Sequence, residues 1–503
     1  MGIEIDRDRF DDADYERFSR RLERSLDALG QMLERPGFGV GERTVGAELE
    51  LFLVDGHGRP MPENKAILGE VDDPRLTLEL DRFNLEVNPS PSSLAGAPFS
   101  ALRDELDSVL GQVRRATQAR GGRVVMIGIL PTLRRGDLHR GAITDSPRYR
   151  ALNRSMRRLR REPFRIEISG TDPEPVRIER DNLELEGANT SFQIHLRVDP
   201  DDFARVFNAV QLATAPVLAA SCNSPAFLGS LLWEETRIAL FEQAADDRDE
   251  SSRGRLMSRV AFGSDWLRTS ALELFEESVR HHEPLLPVLG DEDPVERLGG
   301  REVPALDELR LHQGTVWRWN RAIYDAASGG HLRIEMRALP SGPTITDMLA
   351  NAAFLVGLTL AVAHDAGDWT GTMPFARAHA NFYDAARRGL DAELEWPAPG
   401  GRPRRRKAAE LALDLLPRAR AGLDRAGVAP EESGRLLDVI AERVGSGRTG
   451  AVWQRRTVEA LEPDVGRDRA LALMLERYID LMNMGAPVHT WPIEEPGEGP
   501  RAD

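Results

Sequence analysis

Two glutamates separated by one residue, Glu48 and Glu50, lie inside an apolar segment of this 503-residue chain. Residues 45–55 are rich in β-favouring side chains and lead into an Asp-Gly-His-Gly turn, a pattern that predicts a β-strand. Because side chains two positions apart on a strand share a face, both carboxylates should point the same way. The pair fits either a solvated sheet face or a site for a hard cation, since Mg²⁺ prefers carboxylate oxygens.

More acidic side chains follow in two further segments. Residues 76–81 and 84–88 alternate apolar and polar positions, and the prolines that follow end the second segment. We expect two strand segments here, whose polar positions are Glu79, Asp81, Glu86 and Asn88.

A fourth predicted strand, residues 191–198, places four apolar side chains on one face. Its other face carries Gln193, His195 and Arg197, which offer an amide, an imidazole and a guanidinium in line. This pattern fits an exposed strand face as well as a binding face.

A fifth predicted strand, residues 331–337, alternates in the same manner. Arg333, Glu335 and Arg337 share one face, so a carboxylate lies between two guanidinium groups. The row fits a salt-bridged surface, or a metal-bound Glu335 with arginines that stabilise phosphate oxygens.

Arginines are dense in residues 134–165, which include Arg148 and Tyr149 at the start of a predicted helix over 149–161. A run of arginines is typical of a solvated face. It could also attract the phosphates of a nucleotide or the carboxylate of a substrate.

The elements that position these residues are predicted from spacing and from Gly and Pro punctuation. A buried strand is expected at residues 124–130, and a further strand at residues 316–321. Helices are expected at residues 10–33, 99–120, 203–220, 231–245, 345–364, 408–425, 430–445 and 465–484.

Composition limits the classes of function. The formal net charge is −16, and Lys65 and Lys407 are the only lysines, so nucleic acid is not an expected partner and arginines or metal must hold any phosphate. The single cysteine, Cys222, excludes an internal disulfide and is expected to be a small core residue. The first residues lack a signal-peptide pattern, and no uninterrupted apolar run reaches membrane-spanning length. We therefore expect a cytoplasmic enzyme with no membrane partner.

In this order along the chain, the motifs resemble the glutamine synthetase superfamily, and more closely its branch of glutamate–cysteine ligases and carboxylate–amine ligases. The resemblance covers about residues 40 to 365. It rests on residues 46–50, on residues 83–88, and on residues 333–337 followed by Pro340 and Thr344. It implies an α+β fold in which a curved antiparallel sheet forms a half-barrel backed by helices, with a mostly helical C-terminal region.

We also expect a domain division, in which the linker and the tail are predicted from composition rather than from the resemblance. Residues 1–390 would form the ATP-dependent ligase domain and residues 391–405 a linker. Residues 406–490 would form a helical extension packed on that domain, and residues 491–503 a disordered tail.

Site residues follow from the resemblance position by position. The implied Mg²⁺ ligands, with Mn²⁺ as an alternative ion, are Glu48, Glu50, Glu79, Glu86, Glu335 and Gln193. In the synthetases the Gln193 position is often a histidine, which makes one metal site differ here. The residues expected near the nucleotide or its phosphates are His195, Gln193, Arg333 and Arg337, of which the two arginines would be catalytic. The residues expected to bind the glutamate carboxylate are Arg148, Tyr149 and Arg237.

The implied reaction uses ATP to convert the γ-carboxylate of glutamate into an acyl phosphate, which an amine then attacks. Cysteine is the first candidate for the amine. The alternatives are a ligase with a different amine or carboxylate, and a non-catalytic relative that binds nucleotide. The expected partners are ATP, glutamate and an amino acid or other amine, and a homo-oligomer is possible.

Overall fold

A computed structural model describes residues 5–160, 162–172, 174–300, 302–365, 369–398 and 401–493. The elements up to residue 200 are α1 (Asp12–Leu33), β1 (Thr44–Val54), α2 (Asn64–Glu70), β2 (Leu76–Leu78), β3 (Asn84–Val87), β4 (Ser92–Ser93), α3 (Pro98–Gln118), β5 (Arg123–Val125), α4 (Pro147–Leu159), β6 (Phe164–Ile168), β7 (Val176–Arg180) and β8 (Phe192–Val198).

The second half of the chain is mainly helical. Its elements are α5 (Phe203–Ser221), β9 (Ala226–Phe227), β10 (Ser230–Leu231), α6 (Thr236–Ala244), α7 (Leu272–His281), α8 (Pro294–Gly299), α9 (Asp307–Gln313), β11 (Asn320–Asp325), β12 (His331–Met336), α10 (Ile345–His364), α11 (Phe375–Arg388), β13 (Glu393–Trp396), β14 (Arg404–Lys407), α12 (Ala408–Arg425), α13 (Pro430–Ser446), α14 (Gly450–Val465) and α15 (Arg467–Met484).

The central element is a curled, eight-stranded antiparallel sheet in the order β11-β12-β8-β1-β3-β2, with β4 and β5 also paired to β1. The predicted fold class is confirmed: this sheet forms an open half-barrel with helices behind it. Strand β1 joins the two halves, because it pairs with β8 along one edge and with β3 along the other.

One face of the sheet is apolar and covered by helices. On β8 the side chains of Phe192, Ile194, Leu196 and Val198 are all buried, and α10 packs against this strand. Burial of such side chains stabilises each by about 1.5–3 kcal/mol relative to exposure. The alternation predicted for residues 191–198 is therefore confirmed, and it leaves the polar positions of β1, β3, β8 and β12 on the other face.

Helices α5, α10, α12 and α13 pack together behind the sheet. Two glycines allow the closest approach, because a Cβ atom on Gly422 of α12 would lie 2.0 Å from the carbonyl oxygen of Gly357 on α10. Cys222 is buried at the end of α5, as expected for a small core residue.

Some predicted strands are shorter in the structure. Only residues 76–78 of the second predicted strand pair with a neighbour. In the 124–130 segment, pairing ends at Val125, because the next carbonyl groups bond elsewhere: that of Met126 accepts from the Tyr478 hydroxyl and that of Ile127 from the Thr190 hydroxyl. The strand predicted over residues 316–321 has the wrong bounds, since β11 begins only at Asn320 and continues to Asp325.

The helix predictions fail at several boundaries. Residues 231–235 lie outside α6, since they form part of β10 and a loop. The single helix predicted at 465–484 begins after Gly466 and is preceded by α14, which the sequence analysis missed. Helix α11 and the hairpins β6–β7 and β13–β14 were also missed.

The domain division stays a prediction. The segment expected to be a linker contains β13 and the start of β14, which pair with each other. Helix α12, beyond it, packs against α5 and α10. The expected disordered tail falls almost entirely on residues 494–503, which lie outside the described part of the chain.

Two helical segments, Pro200–Ser221 and Ile345–His364, have the length and apolar composition of a membrane span. The sequence analysis considered only the short uninterrupted apolar run within the second segment. The whole helix, Ile345–His364, has 20 residues. Both windows are 89% buried inside the protein, which is typical of core helices.

Candidate active site

Four adjacent strands bring the predicted acidic residues together on the uncovered face of the sheet. In the register, Glu48 lies opposite Gln193, and Glu50 lies opposite Glu86. On the other side of β8, His195 lies opposite Glu335. Strand β8 thus brings residues of β1 and β12, which are distant in sequence, to the two sides of one strand.

The first cluster, which we name the histidine group, consists of Glu48, His195 and Glu335, all of them buried. One ligand atom from each lies within 4.8 Å of the others. Nε2 of His195 is 3.1 Å from a carboxylate oxygen of Glu48 and 3.8 Å from one of Glu335. Neither ring nitrogen makes a hydrogen bond of normal geometry within the described residues. Two carboxylates and an imidazole that converge in this way fit a divalent cation.

The second cluster, which we name the carboxylate triad, consists of Glu50, Glu79 and Glu86, again with ligand atoms within 4.8 Å of one another. Burial and the nearby Glu86 carboxylate raise the pKa of Glu50 to about 8. Burial and the neighbouring carboxylates also raise the pKa of Glu79 well above its ordinary value. Three carboxylates this close repel one another, and a bound cation would remove that repulsion. The donor set therefore fits Mg²⁺.

Two arginines lie at the edge of the histidine group. Arg321 forms a bidentate ion pair with Glu335, with nitrogen–oxygen distances of 2.6 and 2.9 Å. Nη1 of Arg337 is 3.3 Å from Glu335 and donates a hydrogen bond to the side-chain oxygen of Gln193. Burial acts to raise the pKa of Glu335, but the two arginines hold it at about 2. Glu335 is therefore an anion at neutral pH.

All three carboxylates of the triad, and Glu48 of the histidine group, border a cavity of about 490 Å³. Its polar wall includes Glu48, the carboxylate triad, Gln193, Arg321 and Arg337. The opposite wall is the start of α4, where Ser146 caps the helix and Arg148 and Tyr149 follow. The remaining lining is largely apolar and includes Leu68, Leu76, Leu152, Leu183 and Trp317. A cavity of this volume with a few convergent charges is typical of a small-molecule site.

The structure places most of the expected site residues in this cavity, with some changes of neighbour. His195, expected near the nucleotide, belongs to the histidine group. Gln193, expected as a metal ligand, donates a hydrogen bond of 2.9 Å to Glu50. The hydroxyl of Tyr149 donates to the carbonyl oxygen of Leu78 at 3.1 Å. Arg148 is part of the lining.

Arg333 and Arg237 lie away from the main cavity. Arg333 is 3.4 Å from Asp325 and is not among the residues that line the 490 Å³ cavity. Arg237 is buried against Glu235 at 3.1 Å and donates a hydrogen bond to the carbonyl of Ala338. It lines only a small cavity of about 20 Å³ beside the main one. The roles expected for these two arginines stay predictions.

Two residues of the site were missed by the sequence analysis. Arg321 could have been found from the sequence. It lies in the strand before β12, and if the two strands form a hairpin, its side chain can lie opposite Glu335 on the same face. Glu186 lies in a loop without periodicity and carries no signal in the sequence.

The curled antiparallel sheet with helices behind it matches the fold of glutamine-synthetase-like ligases. Residues 44–470 match glutamate–cysteine ligase family 2 (GCS2), and the chain belongs to that family.

Individual relatives are distant. Over 128 residues the chain is 34% identical to a Mycobacterium ulcerans (strain Agy99) protein provisionally named glutamate–cysteine ligase 2. That match covers 25% of this chain and 31% of the relative, so the chain spans about a third of the length of that curated relative.

Solved structures of similar fold include a glutamate–cysteine ligase from Francisella tularensis in complex with AMP. Its TM-score is 0.51 at 11% identity, over 88% of this chain and 90% of the other. A bifunctional glutathione synthetase from Pasteurella multocida has a TM-score of 0.49 at 13% identity, over 92% of this chain and 55% of the other. The likeness to the first of these shows the fold.

Proposed function

We propose that this protein is an ATP- and Mg²⁺-dependent carboxylate–amine ligase. In the specific form, it activates the γ-carboxylate of glutamate as an acyl phosphate and joins it to cysteine, giving γ-glutamylcysteine. The observation that carries the proposal is that the carboxylate triad, Arg337 and Glu48 of the histidine group border one cavity. Membership of glutamate–cysteine ligase family 2 supports it. The AMP bound to the Francisella tularensis ligase supports a nucleotide as co-substrate.

The two clusters would hold the metal ions, Mg²⁺ or Mn²⁺, through Glu48, His195 and Glu335 in one and Glu50, Glu79 and Glu86 in the other. When bound, such ions supply positive charge to phosphate oxygens. Arg337 would then stabilise the phosphoryl group as it moves from ATP to the substrate carboxylate, because its guanidinium is fixed by Glu335 and Gln193. Arg321 keeps Glu335 ionised and correctly placed.

The amino-acid substrate would lie between Arg337 and the start of α4. Arg148 offers a guanidinium to a substrate carboxylate from that opposite wall. The apolar lining near Leu152, Leu183 and Trp317 accommodates the aliphatic part of a small amino acid and reduces access of water. Exclusion of water matters here, because water would hydrolyse an acyl phosphate.

Two alternatives remain as proposals of lower rank. A ligase with the same machinery could use another amine or another carboxylate, since the clusters serve nucleotide and metal in either case. A nucleotide-binding relative without catalysis is disfavoured, because all the carboxylates of both clusters are in place. The cytoplasmic location and a homo-oligomer stay predictions.

The test is an assay of phosphate release from ATP and Mg²⁺ with glutamate and a panel of amines that includes cysteine, with products identified by mass. We expect release that requires both glutamate and cysteine, and a product with the mass of γ-glutamylcysteine. Release that requires a different amine would replace the substrate and keep the chemistry. A protein that binds Mg-ATP but releases no phosphate with any amine would contradict the proposal.

Two arginines on one strand provide a matched pair of variants. Arg337→Ala should lower kcat by about 10²–10³-fold, as expected for loss of a group that stabilises the transition state. Arg333→Ala, two residues away and paired with Asp325, should change kcat little. An equal loss in both variants would show that Arg333 also contacts the phosphates, as the sequence analysis expected. An unchanged kcat in Arg337→Ala would rule out its role.

A further inference from the structure

Glu186 is a carboxylate in the cavity wall that belongs to neither metal-binding cluster. It lines the main cavity together with Glu50 and Arg337, and the same three residues line the adjoining small cavity. Its side chain makes no hydrogen bond and no ion pair with the residues that the structure describes, whereas the neighbouring Gln193 makes two hydrogen bonds. Glu186 is half-buried and lines the cavity without a partner of its own in the described part of the chain, so its carboxylate is available to a ligand.

The loop that carries Glu186 is held tightly in place. The Glu186 backbone N–H donates to the carbonyl of Leu183 at 2.9 Å, and its carbonyl accepts two hydrogen bonds of 3.0 Å from the backbone and side chain of Asn189. The next residue, Gly187, packs so closely on Asp81 that a Cβ atom would lie 2.4 Å from its carboxyl carbon. The backbone that carries Glu186 is therefore fixed before any ligand binds, which favours specific recognition.

The charges around Glu186 select the kind of ligand group. Burial raises the pKa of Glu186 to about 7, while Arg337 acts to lower it. Among the described residues, the Arg337 guanidinium lowers this pKa and so supports the anionic form, and a second cation beside Glu186 would be strongly attracted. The three triad carboxylates already form a site for one divalent cation and do not include Glu186. The cation that complements the Glu186 carboxylate is then an organic ammonium group, which every amino-acid substrate carries.

We propose that Glu186 binds the α-ammonium group of the amino acid whose carboxylate is activated. The inference rests on the proposed function and deepens it, because it separates amino acids from other dicarboxylates as substrates. The reacting carboxylate lies at Arg337 and the ammonium group lies at Glu186, so the two oppositely charged ends of the substrate meet oppositely charged side chains that share one wall. Glu186 thereby acts as a specificity-determining residue.

The experiment compares glutamate with glutarate, which has both carboxylates but no amino group. KM is measured for wild type and for Glu186→Gln, with glutarate followed as a substrate or as a competitive inhibitor. We expect the variant to raise KM for glutamate about tenfold or more, the loss of a charge-assisted contact of about 1.4 kcal/mol. The constant for glutarate should stay the same or fall, so the preference for glutamate disappears.

Three other outcomes would overturn the inference. Equal losses for glutamate and glutarate would make Glu186 a general structural support. A higher Mg²⁺ requirement with unchanged KM for glutamate would make it a metal ligand. A change confined to the KM for the amine substrate would mean that Glu186 binds the amine and not glutamate.

Controls separate this inference from the function on which it rests. Glu184→Gln changes another buried carboxylate of the same loop, 3.7 Å from Arg180 and outside the cavity lining, and it should leave the glutamate preference intact. Glu186→Asp keeps the charge and serves if Glu186→Gln fails to fold. Calorimetric binding of glutamate and glutarate to Mg-bound protein tests the inference without turnover. A wild type that binds glutamate but forms no product with any amine contradicts the proposed function alone.

Discussion

The molecule contains two buried groups of charges that are built on opposite principles. Behind the sheet, the Arg443 guanidinium lies 2.8 Å from Asp347 and donates hydrogen bonds to Asn351 and to the carbonyl of Ala220. Asp347 also accepts a hydrogen bond from the backbone of Val488. This pair joins α10, α13 and the C-terminal segment. Every charge in it has an opposite charge or a hydrogen bond.

On the open face of the sheet, the carboxylate triad places three carboxyl groups together, and their ionised forms repel one another. Arg337 acts to lower the pKa of Glu50 in this triad, but it also pairs with Glu335. The Arg443–Asp347 pair stabilises the folded chain. The carboxylate triad destabilises the folded chain when no cation is bound, and the same repulsion gives it affinity for cations. The difference indicates where structure and where function constrain the sequence, because a purely structural site would not keep three uncompensated carboxylates.

The largest expected effect is on the structural pair. Arg443→Met should destabilise the protein by about 3–5 kcal/mol, since Asp347 is left as a buried charge without its partner. Thermal unfolding monitored by circular dichroism measures the loss. Activity per folded molecule at low temperature should stay unchanged. Arg435→Met on the same helix is the control, because Arg435 is exposed and should tolerate the change. An Arg443→Met protein as stable as wild type would break the comparison.

Glu86→Gln should have the opposite signature. The amide keeps the hydrogen bonds from Asn88 and Thr77 but removes one charge of the triad. We expect kcat/KM to fall by about 10²–10³-fold, while the melting temperature of the metal-free protein rises because repulsion is relieved. Added Mg²⁺ should then raise the melting temperature less than in wild type. A metal-free variant that is less stable than wild type would mean that the triad is structural. Glu70→Gln, a surface change, is the control.

The smallest expected effect concerns Glu242, a buried carboxyl outside both clusters. It accepts hydrogen bonds from the Tyr383 hydroxyl and the Trp319 indole. Burial raises its pKa from an ordinary value of 4.5 to about 7. The folded state therefore holds a proton that the unfolded state has lost between these two values. This group's contribution to stability falls as pH rises from 4.5 to 7 and is constant above.

Glu242→Gln should remove that loss. At pH 8 the variant should be more stable than wild type by about 1–3 kcal/mol, and the difference should vanish near pH 4.5. The measurement is the difference in melting temperature across this pH range. Glu250→Gln, an exposed carboxylate, serves as control. A difference that does not vary with pH would show that Glu242 is ionised in the folded protein throughout.

Much of the open face could be predicted because strand periodicity is local. The alternation in residues 191–198 and 331–337 fixed which side chains share a face, and the structure agrees. Spacing within a strand cannot say where a neighbouring strand lies, so Arg333 and Arg337 were equivalent in sequence. Only the pairing of β12 with β8 and β11 places Arg337 beside Gln193 and Arg333 beside Asp325.

Residues in loops were the hardest to predict. Glu186 reaches the cavity because Gly187 packs on Asp81, a contact between segments more than 100 residues apart. The resemblance placed Arg237 at the substrate, and the structure adds an ion pair with Glu235, only two residues away, that spacing alone did not indicate. Such outcomes depend on tertiary packing, which overrides local pattern.

The contact between Gly357 and Gly422 has a consequence for synthesis of the chain. The carbonyl of Gly357 is covered by α12, which leaves the ribosome well after α10. At typical elongation rates the apolar surface of α10 would wait on the order of ten seconds for its cover. During that interval the nascent chain already contains every strand of the half-barrel, but the apolar surface of α10 that α12 will cover is still exposed. A chaperone that binds nascent chains would find its site there.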